Sequence, residues 1–123
     1  MAMAEEYVVF IVESEWDPAQ ISEAEWTSVM TQHRAFAEAV EAAGAQLLGG
    51  DALQPESKAV RIDPARAGQQ AVFTDGPFGE VKEVVTGYYK IGVKDAAQAR
   101  ELAALVPTTG HLELFPVMDT GSM

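Results

Sequence analysis

The chain has 123 residues, 48% of them apolar and 22% charged, a length and composition that suit one globular domain and are too short for two. Nineteen acidic against eight basic residues leave a formal charge of −11, which repels a phosphate backbone and, with no local Lys/Arg cluster, argues against nucleic acid as a partner. The same charge suits solubility or the steering of a cationic ligand, and the absence of cysteine removes disulfides, thiolate metal sites and a Cys nucleophile.

The start, Met1-Ala2-Met3-Ala4-Glu5-Glu6, is acidic and lacks the basic and apolar regions of a secretory leader. No stretch approaches membrane-spanning length, so no membrane partner and a cytoplasmic location are expected. Tyr7 to Val12 is a continuous β-branched and aromatic run, the pattern of a strand buried on both faces. After Trp16-Asp17-Pro18, Ser22 and Glu25 form a capping box. Apolar positions then recur at helical spacing through Trp26, Met30, His33, Ala37 and Val40. A helix is predicted from about Glu23 to Ala43, with Gly44 as its left-handed C-terminal cap.

Ala45 to Leu48 is a short strand candidate, and Gly49-Gly50 is expected to loosen the chain before Leu53-Gln54-Pro55. Lys58 to Ile62 and Gln70 to Thr74 read as a hairpin joined by turn residues from Asp63 to Gln69. Val84 to Val93 is a long strand, with Val85, Gly87, Tyr89, Ile91 and Val93 on one face. Asp95 and Gln98 open a second helix whose stripe is Ala99, Leu102, Ala103 and Val106, and Pro107 stops it. His111 to Met118 is the last strand, and the tail after Asp119 is expected to fray.

This order predicts an α+β domain: a ferredoxin-like antiparallel sheet with two helices on one face and an inserted hairpin. Two helices cover one face only, yet several strands carry apolar residues on both. The economical cover for the second face is another copy of the chain, so a homodimer is expected.

Thr74-Asp75-Gly76-Pro77-Phe78 stands out. Gly76 precedes proline and also opens positive φ, Pro77 fixes φ and removes a donor, Asp75 can accept backbone N–H bonds, and Phe78 is an apolar anchor. These residues alone describe an Asx-type turn. Read on through Gly79-Glu80-Val81-Lys82-Glu83 to Gly87-Tyr88-Tyr89, the stretch resembles the signature of the YCII-related proteins, in particular the DGPF-domain subgroup. Ala42-Ala43-Gly44, Leu53-Gln54-Pro55 and the closing Glu113-x-x-Pro116-Val117 extend the resemblance over nearly the whole chain.

The resemblance implies a dimeric α+β barrel in which two ferredoxin-like sheets pack face to face. It also implies a His–Asp pair, which falls here on His33 and Asp75. Some relatives act on small aromatic compounds, and some are encoded near extracytoplasmic-function sigma factors. One departure is Phe115, where the family pattern Glu-x-Arg-Pro carries arginine.

His33 lies in the apolar seam of the first helix, which points its ring at the sheet. It is either a core histidine satisfied by one hydrogen bond or, with Asp75, an acid–base pair suited to proton abstraction beside a carbonyl or to activation of water. Phe78 and Glu83 are the substrate-binding candidates, and Glu80 reads as a solvated loop charge. His33 and His111 lack metal-ligand spacing, and neither a metal nor a cofactor is expected. Two functions remain open: a cofactor-independent enzyme acting on a small aromatic or carbonyl substrate, and a non-catalytic small-molecule-binding or regulatory module linked to sigma-factor-type control.

Overall fold

A computed structural model describes residues 5–14, 18–79 and 83–121. Trp16, Asp17, Glu80, Lys82 and the end of the tail lie outside the described residues. The chain runs β1 (Glu5–Glu13), α1 (Glu23–Ala42), β2 (Gln46–Ala52), β3 (Val60–Asp63), β4 (Val72–Asp75), β5 (Val84–Val93), α2 (Ala96–Ala103) and β6 (His111–Pro116). A four-stranded sheet of order β2-β5-β1-β6 holds the core, and β3 and β4 form a separate two-stranded ribbon. All pairings are antiparallel. The architecture is the expected ferredoxin-like α+β domain with an inserted hairpin.

Local chemistry sets the helix ends. Glu25 N–H donates to Ser22 Oγ at 3.1 Å, which occupies one orphan N–H of the first turn of α1, and Ser22 Oγ donates to Glu25 Oε1 at 3.0 Å, which joins the two side chains of the box. Gly44 follows the C-cap Ala43 at φ +76°, the left-handed position the sequence assigns it. In α2, Asp95 caps by accepting from Gln98 N–H at 2.8 Å. The helix ends at Ala103, and Leu105 and Val106 continue in tighter turns ahead of Pro107.

The core is built from alternate residues of β1 and β5 against the helices. Val9, Ile91, Val93, Phe36 and Val40 are fully buried, and Ala99, Leu102, Ala103 and Val106 seat α2 beside them. Each large side chain so placed contributes about 1.5–3 kcal/mol of transfer free energy. Phe36, absent from the predicted helical stripe, is the main anchor of α1. Trp26 and Met30, expected in that stripe, are more than 40% exposed. Thus the C-terminal half of α1 lies on the sheet while its N-terminal half leaves space beneath it.

Several strand boundaries differ from expectation, that of β2 by the most. Gly49-Gly50 belongs to β2 rather than to a loop, because pairing with Lys90 and Tyr89 of β5 carries the strand on to Ala52. The register of β1 against β5 shifts between Ile11 and Val12, leaving Thr86 without a paired residue, and such a bulge re-aims the extra side chain. β6 stops at Pro116, short of the predicted Met118.

The face away from the helices carries Val8, Phe10 and Lys90 at half exposure and Phe115 at 51%. Apolar residues do occupy both faces of β1. Only the helix face is sealed within one chain.

Candidate functional site

A cleft of about 570 Å³ opens between the first half of α1 and the sheet. Its helical wall is Trp26, Val29, Met30 and His33, which recur at three- and four-residue spacing on one face. Its floor is Ile11 and Glu13 of β1, Gly50 of β2, and Thr86 to Tyr89 of β5, and Thr108 and Thr109 close the end beyond α2. Gly50 is required there: a Cβ would stand 2.5 Å from Cδ1 of Tyr89 and 2.8 Å from the Tyr88 carbonyl oxygen.

Tyr89 carries the central polar contact. Its ring packs 4.6 Å from Phe36, centroid to centroid, and its hydroxyl lies 2.6 Å from Nδ1 of His33. Burial pushes the His33 pKa below the ordinary histidine value, while the negative charge of Glu13 pulls the other way and loses. His33 is therefore neutral near pH 7. Burial raises the Tyr89 phenol, which stays protonated. In the neutral pair one hydrogen is shared between Nδ1 and the hydroxyl, and the tautomer is set by which group donates.

Among the described residues, four donors hold Glu13. Thr86 Oγ1 donates to Oε1 at 2.8 Å, while Oε2 accepts from Thr108 Oγ1 at 3.0 Å, Thr109 N–H at 3.0 Å and Thr109 Oγ1 at 3.3 Å. Burial alone would raise this carboxyl. The hydrogen bonds from Thr109, Thr86 and Thr108 together outweigh it and leave the pKa lowered, so Glu13 is a fixed anion. The bulge at Thr86 serves this contact.

The sequence-predicted residues divide between this cleft and the hairpin. His33 faces the sheet as expected and lines the cleft. Asp75 ends β4, opposite Val60, is exposed, and is not among the described residues lining the cleft. The ring nitrogen contact of His33 is to Tyr89, and the carboxylate whose charge reaches it is Glu13; of the two alternatives for His33, the single hydrogen bond forms here, and the described residues hold no His33–Asp75 hydrogen bond.

Phe78 is half-buried with its N–H donating to Glu56 Oε1 at 2.6 Å and its ring 4.5 Å beneath the Arg61 guanidinium. It anchors the turn to the hairpin and to the 3-10 turn Glu56–Lys58 rather than to the core. Gly76 N–H donates to the Ala59 carbonyl at 2.8 Å, and a Cβ there would collide with the Glu56 carbonyl oxygen. The motif is thus a fastener in this chain, with a cis Gly76–Pro77 bond inside it. Glu83 is exposed just ahead of β5 and does not line the cleft. Phe115 packs edge-on against Phe10 at 5.6 Å on the opposite face of the sheet.

Sequence reasoning missed Glu13, Thr86, Thr108 and Thr109, and it placed Tyr89 only on one face of the long strand. One signal was available: Glu13 continues the alternation of Val9 and Ile11, which puts a carboxylate on the core-facing row. Among the described residues, no group of three or more His, Cys, Asp or Glu stands close enough to hold a metal ion, and no helix is long and apolar enough to cross a membrane.

No curated protein matches the chain. The family profile of the YCII-related domain matches residues 7–120, from the third residue of β1 past the end of β6, and so takes in both helices, the sheet but for the first two residues of β1, and the residues of the cleft. The chain belongs to the YCII-related family.

Proposed function

We propose that the cleft under α1 is a small-molecule site at which His33 and Tyr89 move a proton without a cofactor. The observation that carries this is the 2.6 Å contact between Nδ1 of His33 and the Tyr89 hydroxyl in the wall of a 570 Å³ cleft. Two titratable groups whose environments push their proton affinities apart divide naturally into base and acid. With Nδ1–H donating to the Tyr89 oxygen, Nε2 of neutral His33 accepts the proton, Tyr89 holds the ring in that tautomer, and the imidazolium returns the proton from Nε2. Such a pair suits abstraction of a proton beside a carbonyl, a step in which a placed base contributes about 10²–10⁴-fold.

The test is hydrogen–deuterium exchange at carbon in D2O. A panel of small carbonyl compounds is followed by proton NMR with wild type, His33→Ala and Tyr89→Phe. Exchange catalysed by wild type, lost in the first variant and slowed in the second, is expected. Exchange that survives His33→Ala, or no exchange with any member of the panel, counts against the assignment.

We also propose that the chain pairs with a second copy across the open sheet face. Support comes from the Phe10–Phe115 pair, with Phe115 51% exposed, and from Leu48, 44% exposed, whose side chain lies over Gly92 on the same face. Light scattering at micromolar concentration is expected to give the dimer mass. A monomer would refute the pairing.

A further inference from the structure

We infer that the ligand of the cleft is a small organic cation, a protonated amine on an apolar or aromatic body, with the amine N–H directed to Glu13. This rests on the cleft being a ligand site and adds the chemical class. The anchor is geometric. Oε2 of Glu13 accepts three bonds and Oε1 only that from Thr86. Oε2 is crowded, its third donor standing back at 3.3 Å, whereas Oε1 has two lone pairs and one of them is taken by Thr86 among the described residues, so Oε1 has room for one more donor.

All four donors to Glu13 are neutral; they fix the carboxylate in place without cancelling its charge. Among the described residues lining the cleft there is no lysine or arginine. The other carboxylate at its rim, Glu25, is engaged by the Ser22 hydroxyl. Asp51 touches the cleft, but its pairing with Tyr88 turns both side chains to the far face of the sheet, where the Tyr88 hydroxyl donates to Asp51 Oδ2 at 2.7 Å.

A negative charge thus stands at the floor of a partly desolvated cleft with no counter-charge beside it among the described residues. An anionic ligand meets repulsion there, and a cationic head supplies the missing partner. Trp26, Val29, Met30 and Ile11 give the apolar surface for the body of the ligand. The 42% exposed ring of Trp26 is also a suitable face for a cation. The net charge of −11 draws the same class of molecule toward the protein.

The full chain is titrated calorimetrically with three probes of matched shape: phenethylamine, 2-phenylethanol and phenylacetate. The cation is expected to bind at least about tenfold more tightly than the anion, with the alcohol between them. Glu13→Gln is expected to remove most of the preference for phenethylamine while leaving 2-phenylethanol unchanged. Raising salt to about 0.3 M should weaken the amine selectively. This arm needs no variant and decides the matter if Glu13→Gln does not fold.

Phenylacetate binding as tightly as phenethylamine, or an amine preference untouched by both Glu13→Gln and salt, overturns the cation assignment and leaves the cleft as a site. Failure of all three probes to bind overturns the cleft as a ligand site as well.

Discussion

The hydroxyl of Tyr89 stands 2.6 Å from Nδ1 of His33, while the Tyr89 ring rests on Phe36. One side chain therefore couples the core to the titratable group of the cleft. The position of His33 is set by packing that begins at the fully buried end of α1.

The proton affinity of His33 is the first consequence. Burial disfavours the imidazolium, so its NMR titration is expected to fall below the ordinary histidine range. The unfolded chain binds this proton more tightly than the folded one. The contribution of His33 to stability is therefore full above the unfolded value of about 6.5 and is lost as pH falls through the depressed folded value. Urea midpoints of wild type and His33→Gln should converge on acidification through that window. A His33 midpoint at or above the ordinary range contradicts the desolvated geometry.

Glu13 gives a second expectation of the same sign. Its folded pKa is lowered, so its contribution is present above the unfolded carboxylate value of about 4.3 and is lost as pH falls. Thr86→Val removes the donor to Oε1 and is expected to cost about 1 kcal/mol at pH 7. It should also move the acid loss of stability to higher pH. A urea melt series from pH 3 to about 7 measures both, and an unchanged acid limb argues against the Thr86 contact.

Much of this frame is legible from sequence, because local signals and global packing agree along most of it. The Ser22–Glu25 box, Gly44 and the alternation of β5 are local; the structure keeps the first two, and the alternation from Gly87 to Val93, but the bulge against β1 flips it, so that Val85 is 43% exposed and Thr86, expected on the other face, reaches Glu13. The extent of β2 is not local. Two glycines become strand only because β5 pairs with them. The site divides in the same way. His33 is readable from its place in the helical seam, whereas its partner depends on which residue of β5 lies beneath that turn of helix. Asp75, conspicuous in sequence, stands in a ribbon of its own, and Thr108 and Thr109 reach Glu13 across 95 and 96 positions of chain.

Gly50→Ala is expected to uncouple the pair. The added methyl meets the Tyr89 ring and the Tyr88 carbonyl, both closer than an ordinary contact, and relief by moving the ring should cost about 1–3 kcal/mol. The hydroxyl would leave Nδ1, and the His33 titration should shift with the loss of stability. An unaltered His33 midpoint would show that the backbone, not the ring, gives way.

The fastener reading of the Asp75–Phe78 turn separates two neighbouring substitutions. Gly76→Ala sets a methyl against the Glu56 carbonyl and is expected to destabilise by about 1–3 kcal/mol, measured by thermal or urea unfolding. Asp75→Ala should leave phenethylamine binding within about twofold of wild type, a change under about 0.5 kcal/mol. Loss of binding in Asp75→Ala would restore Asp75 as a ligand residue.

The most direct test of the central claim, that the cleft and not the turn is the site, is an amide chemical-shift map on addition of phenethylamine. Perturbations are expected at Trp26 to His33, Gly87 to Tyr89 and Thr108 to Thr109, with the Asp75–Phe78 segment silent. Shifts confined to Asp75–Phe78, or to Phe10 and Phe115 on the open face, would contradict it.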